Sequence, residues 1–398
     1  MKTIYLDYSN STPVAASVRD SMLPFLNEFY GHPGSSHWFG RASYEAIEDA
    51  RSNVGALLDC HPSEIVFTSG GTESVNLGLL GVAEAIGKSI ENERPHLIVS
   101  ELDHDCVLGC ARHLAESGWE LTTVPCDQNG IVTDEVVANA IRPSTRLVSI
   151  IHASHMYGTI QPIEAISELC RSKDILLHID AAQTTGKIDC RVDELGVDLL
   201  SLSGHKFYAP KGIGALYVKT GVPIQPVFKG SPCESGVRPG TTNVPHVVGL
   251  GQAAKLVSAG LKTTQTETAA QRDRFLSQLE SAIGQPVKVH GSSAPRLPNL
   301  LSIELPAVSA RELEKMLPEV CFGPSLSPVR NGVPDESNEG GLNPRKCTRS
   351  ATLVSRFEGL ENQCLESTLQ MSLGWTTSED ELQRVVQMLA TAYESLRR

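Results

Sequence analysis

The stretch SLSGHKFYAPKGIG, residues 201–214, places Lys206 directly after a short apolar run and among small residues. Small residues let a ligand approach the backbone closely. A lysine at the end of a strand is usually only solvated, so its role has to be judged from the residues that accompany it. The run itself, LLSLSGHK (199–206), is one of several of its kind along the chain, and together they predict the fold.

Short runs rich in valine, isoleucine and leucine alternate with longer amphipathic stretches. The other runs are EIVFTS (64–69), HLIVSE (96–101), LTTVPC (121–126), RLVSIIHAS (146–154) and ILLHIDAA (175–182). This alternation predicts an α/β fold with a mostly parallel sheet covered by helices on both faces. Residues 74–87 and 162–173 have helical spacing. GIGALYVKT (212–220) predicts one more strand, antiparallel and at an edge of the sheet.

The pattern changes from about residue 255 onwards. The sequence there predicts a helix at 269–284, a strand at 299–306, a long loop at 324–346 and a helix within 378–398. We therefore expect a large domain at 15–255 and a smaller α+β domain formed by 1–14 and 256–398. A loop as long as 324–346 is usually functional or disordered.

Composition and charge exclude several classes of partner. The 398 residues include 34 Lys and Arg against 46 Asp and Glu, a net charge of −12, and no basic run, so nucleic acid is not an expected partner. Asp7 interrupts the apolar residues before a signal-peptide core could form, and nowhere do 18 apolar residues follow one another. We expect a cytoplasmic protein without a membrane partner.

The ten cysteines contain no CxxC pair, so neither a zinc site nor a disulfide framework is indicated.

Asp180 lies in LLHIDAAQ, at the carboxyl end of a predicted buried strand 26 residues before Lys206. Ligands of open α/β sheets bind at this edge. An acidic side chain there can keep a pyridinium nitrogen protonated while a lysine forms a Schiff base, as pyridoxal phosphate chemistry requires. Asp180 taken alone could equally be the N-cap of a helix.

Two further strand ends carry polar groups. In TSGGTES (68–74) a strand is followed by glycines and by Thr72 at the start of a helix, whose N–H groups and dipole would receive a phosphate. His104, in SELDHDCV, could stack on a planar cofactor and act as an acid or base. A tight strand-helix turn and a structural histidine are the alternatives. A phosphate site, an acid and a lysine in this order favour a cofactor site.

With these residues in place, the chain resembles the cysteine desulfurase and selenocysteine lyase branch of the class V aminotransferases, which are pyridoxal 5'-phosphate enzymes of fold type I. The resemblance covers nearly the whole chain. It rests on IYLDYSNSTP (4–13), GHPGSSHWFGR (31–41), EIVFTSGGTES (64–74), the DH pair (103–104), HIDAAQTTGK (178–187), SLSGHKFYAPKGIGALYV (201–218), RPGTTN (238–243) and SLGWTT (372–377).

The resemblance implies roles for individual residues. Lys206 would be the Schiff-base lysine, Asp180 the partner of the pyridine nitrogen, and His104 the stacking, proton-transferring imidazole. Gln183 would contact the phenolic oxygen of the cofactor. The residues similar to the family's phosphate site are Gly71, Thr72, Ser203, His205 and, lent by the other subunit, Thr241. The last role implies a homodimer with shared active sites.

Three positions depart from the family pattern on the substrate side. His155 stands where the family has an asparagine near the cofactor ring, and imidazole can still donate a hydrogen bond. Gln370 replaces the arginine that pairs with the substrate carboxylate, unless Arg349 or Arg356 substitutes. The family's persulfide-carrying cysteine corresponds best to Cys347 in CTRSAT, with an ordinary loop cysteine as the alternative.

A similar upstream half, CFGPS (321–325), looks separated from Cys347 by an insertion. Its cysteine, Cys321, is therefore the weaker of the two candidates for the thiol that accepts sulfur.

The function that the resemblance implies is cleavage of the C–S or C–Se bond of cysteine or a related amino acid, with sulfur passed to Cys347 and then to a sulfur-acceptor protein. Because Gln370 cannot form a charged pair, a second hypothesis is a pyridoxal-phosphate lyase, aminotransferase or decarboxylase acting on a modified amino acid or amine without persulfide chemistry. A third is a catalytically silent homologue in sulfur trafficking, against which the presence of Lys206 argues.

Overall fold

The computed structural model of the chain describes residues 3–87, 94–323 and 368–397. The predicted loop at 324–346 and Cys347 lie outside these ranges. In chain order, the strands are β1 (Ile4–Leu6), β2 (Ile65–Thr68), β3 (His96–Ser100), β4 (Glu120–Val124), β5 (Thr145–Ile151), β6 (Leu176–Asp180), β7 (Leu199–Ser203), β8 (Gly214–Val218), β9 (Lys288–Val289), β10 (Leu300–Glu304), β11 (Val320–Phe322) and β12 (Thr368–Ser372).

The helices cover the sheets and connect their strands. They are α1 (Ala16–Met22), α2 (Pro24–Asn27), α3 (Trp38–Leu58), α4 (Gly71–Gly87), α5 (Asp105–Glu116), α6 (Asp134–Ala140), α7 (Ile163–Arg171), α8 (Val192–Leu195), α9 (Val244–Ile283), α10 (Ala310–Met316) and α11 (Glu379–Leu396). Within the described ranges, no helix is long and apolar enough to cross a membrane.

Seven strands form the main sheet in the order β2-β8-β7-β6-β5-β3-β4. Strands β3 to β7 pair in parallel, and β8 is antiparallel to both of its neighbours. The predicted α/β class with a mostly parallel sheet is confirmed. The antiparallel direction of β8 was also correct, but its predicted edge position was wrong, because β2 pairs along its outer side.

The parallel strands bring four distant parts of the sequence to one edge of the sheet. Strand β2 runs in the same direction as β7, since both are antiparallel to β8, so the turns that follow β2, β3, β6 and β7 all lie along the carboxyl edge of the sheet. Each of these strands is buried along its length. The buried apolar runs of the sequence therefore place the polar residues that follow them around a common cleft.

A second core lies beside the main sheet. Residues of β1, β10, β12 and α11 pack there with the C-terminal half of α9. Strand β1 pairs in parallel with β11. Helix α9 is 40 residues long, far longer than the predicted helix at 269–284, and it contributes to both cores: Leu250 and Val257 to the main one, Phe275 and Leu279 to the second. The predicted domain limits at 14/15 and 255/256 stay a prediction.

Candidate active site

A cleft of about 550 Å³ opens at the carboxyl edge of the main sheet. Nine of the twelve site residues predicted from the sequence line it: Gly71, Thr72, His104, His155, Asp180, Gln183, Ser203, His205 and Lys206. Clefts of this size and position are typical small-molecule sites of α/β proteins. The strand ends thus meet as the sequence pattern predicts.

Lys206 lies in a single 3₁₀ turn, Gly204–Lys206, immediately after β7. Its Nζ donates a hydrogen bond to the carbonyl oxygen of Ser9 at 2.6 Å. Two residues later, Tyr208 has φ of 70°, a left-handed conformation that costs energy for a residue with a side chain. The turn must therefore be held in shape by contacts with other parts of the chain.

Residues 8–15, the N-terminal segment, provide those contacts. The backbone N–H of Thr12 donates to the carbonyl of His205 at 2.8 Å, and the N–H of Tyr208 donates to Oγ1 of Thr12 at 2.7 Å. The N–H of Ala15 donates to the carbonyl of Tyr208 at 3.1 Å. The segment itself is held by β12, because the N–H of Ser9 donates to Oγ of Ser372 at 2.7 Å. These bonds fix the loop that carries Lys206.

Asp180, the last residue of β6, is buried with 5% of its surface exposed. Its Oδ1 accepts a hydrogen bond from the N–H of Ala182 at 2.9 Å. Burial raises the pKa of this carboxyl, while the hydrogen bond from Ala182 and the positive charges of His104 and Lys206 act in the opposite direction. A buried acid that faces basic groups is suited to holding a further cationic group in the cleft.

His104 caps the N-terminus of α5, where its Nδ1 accepts a hydrogen bond from the N–H of Cys106 at 3.2 Å. Because Nδ1 is an acceptor in this bond, the neutral ring carries its proton on Nε2. The His104 ring meets the ring of His155 edge to face, with 5.5 Å between centroids. His155 therefore packs directly against the predicted stacking histidine.

The predicted phosphate site is built from the first turn of α4 and the end of β7. A Cβ added at Gly71 would lie 3.2 Å from Cβ of Ser203, so the two elements approach closely and glycine keeps the helix N–H groups open to the cleft. Nδ1 of His205 lies 3.3 Å from Oγ of Ser11. Burial lowers the pKa of His205 to about 4, helped by the charges of Lys206, Lys211 and Lys187, so the ring is neutral at pH 7.

Glu73 brings a negative charge close to this helix N-terminus. Arg238 donates to it from Nε at 2.8 Å, and the N–H of Ser69 donates to it at 2.7 Å. Burial raises the pKa of Glu73, but these hydrogen bonds outweigh it and hold the pKa below its usual range. Because the Glu73 carboxylate is paired with Arg238, its repulsion of a bound phosphate is reduced.

Three predicted site residues do not line the cleft. Thr241 is exposed and lies in a separate groove, and Cys347 lies outside the described residues. Gln370, on β12, is fully buried, and its Nε2 donates to the carbonyls of His155 at 2.8 Å and Met156 at 2.9 Å. Gln370 therefore holds the loop that carries His155. These contacts could not be predicted from the sequence, because they depend on tertiary structure.

Several contributors to the site were missed by sequence reasoning. Asn10, Ser11 and Cys106 line the cleft, and Ser9 contributes a backbone carbonyl. Lys187, which donates to Gln183, lies four residues after it in AQTTGK and could have been found from that spacing. Ser9 carries no such signal, because any residue can supply a carbonyl.

The donors and acceptors of the cleft fit pyridoxal 5'-phosphate. A helix N-terminus with Ser203 and His205 could bind the phosphate, the buried carboxylate of Asp180 could pair with the pyridine nitrogen, and Lys206 could supply the amine for the aldehyde. Of the predicted phosphate-site residues, only Thr241 lies outside this cleft.

Comparison with known proteins shows the family to which the chain belongs. Residues 4–321 match the family Aminotransferase class-V. The chain is 35% identical over 396 residues to "Cysteine desulfurase IscS" of Dictyoglomus turgidum, covering 100% of this chain and 96% of that protein. It is 36% identical over 399 residues to "Cysteine desulfurase, mitochondrial" of Arthroderma benhamiae, covering 100% of this chain and 75% of that protein.

Solved structures show the same similarity. A "NifS-like protein" superposes with a TM-score of 0.85 at 30% identity, covering 99% of both chains. "SspA in complex with cysteine" superposes with a TM-score of 0.77 at 32% identity, covering 93% of this chain and 99% of the other.

Proposed function

Because the chain belongs to the class V aminotransferase family, we propose that it is a pyridoxal-phosphate-dependent cysteine desulfurase that cleaves the C–S bond of cysteine or a closely related amino acid. The observation that carries the proposal is the meeting of Lys206, Asp180 and the α4 N-terminus in one cleft. When bound, the cofactor supplies an electron sink that weakens the bonds at the α-carbon of an amino acid.

Each residue of the cleft would have a separate role toward the cofactor or the substrate. The N-terminus of α4, Ser203 and His205 would bind the phosphate, and the Asp180 carboxylate would keep the pyridine nitrogen protonated. Lys206 would first hold the cofactor covalently and then, once released, move a proton at the substrate α-carbon. His104 would stack on the ring, with its Nε2–H directed by the hydrogen bond that Nδ1 accepts from Cys106.

Cys347 is the proposed acceptor of sulfur. In that step the substrate C–S bond breaks, an S–S bond forms to Cys347, and the proton of the thiol ends on the substrate carbon, which leaves alanine and a persulfide. An added thiol reductant then releases sulfide. A sulfur-acceptor protein would take the place of the reductant in the cell.

Gln370 supports the second candidate, a related enzyme acting on a modified amino acid or amine. Its amide nitrogen already donates to two carbonyls and is neutral, so it cannot form the charge-assisted pair that a free carboxylate prefers. Under this alternative, sulfur would leave by β-elimination or remain on the substrate, and no persulfide would form.

Product analysis tests the proposal. The protein loaded with pyridoxal phosphate, incubated with cysteine and dithiothreitol, is expected to form alanine and sulfide in equal amounts. Pyruvate in place of alanine would identify β-elimination instead, and the absence of any product would refute both enzyme reactions for cysteine. Cys347→Ala is expected to lower sulfide release about 100-fold or more, since it removes the sulfur acceptor. Cys321→Ala is the matched control and should retain the rate.

We also propose that the active protein is a homodimer. Thr241 lies in the segment 231–243, which is held by the ion pair of Arg51 with Glu234 at 2.7 Å. This segment and α3 line one groove of about 690 Å³, and the nearby aromatic side chains of Tyr44 (54%) and Trp38 (67%) are exposed. Exposed aromatic surface of this kind is typical of interfaces. Sedimentation equilibrium at micromolar concentration tests this, and the mass of a single chain would refute it.

The predicted cytoplasmic location stays a prediction, since one similar protein is named as mitochondrial.

A further inference from the structure

Lys187 is a second lysine close to the cleft that the proposed reaction does not use. It follows Gly186 after β6 and is partly buried. It does not line the cleft of the cofactor but a small cavity behind Lys206, shared with Thr12 and Phe207. Its Nζ donates to the backbone oxygen of Gln183 at 2.9 Å and to Oε1 of the same residue at 3.2 Å.

The contacts of the Gln183 side chain determine which way its amide points. On one side, the protonated amine of Lys187 can only donate, so it faces the amide oxygen. On the other side, the carbonyl of Ser9 can only accept, so it faces the amide nitrogen, at 2.9 Å. A flipped amide would place its oxygen against the carbonyl oxygen of Ser9 and its NH₂ group against the protonated amine of Lys187. The Gln183 side chain is therefore held with its NH₂ group on the side of Ser9 and Lys206.

The surroundings of Lys187 lower its pKa. Burial lowers its pKa to about 7, and the charge of Lys206 acts in the same direction, while Cys190 opposes it. The protonated amine is donor-only, whereas a neutral amine also accepts, so the charged form of Lys187 orients the amide more strictly, and the Ser9 carbonyl acts in the same sense in either form. A lysine kept in partly apolar surroundings costs free energy, which is consistent with a function beyond packing.

We propose that Lys187 is a positioning residue that acts through Gln183, fixing its amide so that an N–H faces the bound cofactor. The inference rests on the proposed function, because it assumes that Gln183 donates to the phenolic oxygen of pyridoxal phosphate. Lys187 itself does not touch the cofactor. Its substitution should therefore matter only as long as Gln183 is present.

A double-mutant cycle on cofactor affinity tests this dependence. Dissociation constants for pyridoxal phosphate are measured by titrating the apoproteins of wild type, Lys187→Met, Gln183→Ala and the double variant. Methionine retains the length and apolar volume of the lysine and removes the donor. We expect each single variant to bind about tenfold more weakly, and the double variant to stay within about threefold of the single ones, because both remove the same hydrogen bond.

The visible absorbance of the bound cofactor gives a second readout. Loss of a hydrogen bond to the phenolic oxygen should shift its maximum equally in Lys187→Met and Gln183→Ala, and a purely structural lysine would not produce this match. The thermal midpoint of each apoprotein shows whether it folds, and Lys219→Met, a lysine paired with Asp198 away from the cleft, is the matched control.

The outcomes separate the two levels of the proposal. Wild-type protein that binds no pyridoxal phosphate would refute the proposed function. Wild-type binding with no effect of Lys187→Met, or a double variant weakened by the product of the two single effects, would refute the positioning role and leave the function standing. If Lys187→Met fails to fold, Lys187→Ala replaces it in the cycle. Lys187→Arg is the rescue variant, because it keeps a donor, and it should retain at least part of the affinity if donation to Gln183 is what matters.

Discussion

Replacing Lys206 with alanine is expected to abolish covalent fixation of the cofactor and to lower kcat/KM for sulfide release by about 10⁴-fold or more. Lys206 is the lysine of the cleft that lies directly at the end of β7, with its Nζ 2.6 Å from the carbonyl of Ser9. Lys187 donates to Gln183 and does not line the cleft, and Lys211, which does line it, lies in the loop between β7 and β8 rather than in the turn that carries Lys206. Borohydride reduction of the loaded protein, followed by peptide mass analysis, measures the fixation.

The control for this experiment is Lys219→Ala, which should retain both the modified peptide containing Lys206 and the rate. Lys219 is half exposed and lies 3.6 Å from Asp198, beyond the end of β8. A cofactor label on any peptide other than the one containing Lys206 would show that the wrong lysine has been assigned. Retained fixation in Lys206→Ala would do the same.

Asp180→Asn is expected to lower kcat by about 10³-fold, because it removes a preorganised charge from a buried site while keeping the shape of the side chain. Asp180 is 5% exposed and accepts from the N–H of Ala182. An amide in its place cannot keep a pyridine nitrogen protonated. Steady-state kinetics of alanine formation at saturating pyridoxal phosphate measures the effect apart from any loss of cofactor affinity.

The matched control for Asp180→Asn is Asp198→Asn. Asp198 precedes β7 at the opposite edge of the sheet and accepts from the N–H of Leu177 at 3.0 Å. Like Asp180, it accepts a hydrogen bond from a backbone N–H, so its substitution removes a comparable carboxylate and should affect stability more than kcat. If both variants lost the same rate, the effect of Asp180 would be structural, and the proposed charge interaction would be wrong.

Much of the fold follows from local patterns. Strands β3, β6 and β7 are almost entirely buried, and strands buried on both faces of a sheet have nearly continuous apolar sequences. The apolar runs alone therefore predict these segments to be strands. The position of β8 could not be predicted in this way, because strand order depends on pairing partners that are far apart in the sequence. Helix α9 was predicted only in part, since residues 260–268 are mostly polar and lack an apolar stripe.

The residues of the candidate site also fall into two groups, those that local sequence pattern predicts and those that depend on tertiary contacts. Residues at strand ends, such as Asp180 and His104, could be predicted because the sheet itself brings its carboxyl ends together. The carbonyl of Ser9 and the contacts of Gln370 could not, since both depend on how the second core packs against the main sheet. The sequence pattern therefore predicted the strand-end residues of the cleft better than the contacts of Ser9 and Gln370.

The parallel pairing of β1 with β11, and the bond from Ser9 to Ser372, have a consequence for protein synthesis. A ribosome makes residues 4–9 more than 300 residues before their partners in β11 and β12. The Lys206 loop can be made and buried in the main sheet well before the Ser9 carbonyl is anchored beside it. The contacts of the N-terminal segment with β11 and β12 are therefore expected to form last, and a nascent chain that stalls before residue 372 would lack the bond from Ser9 to Ser372.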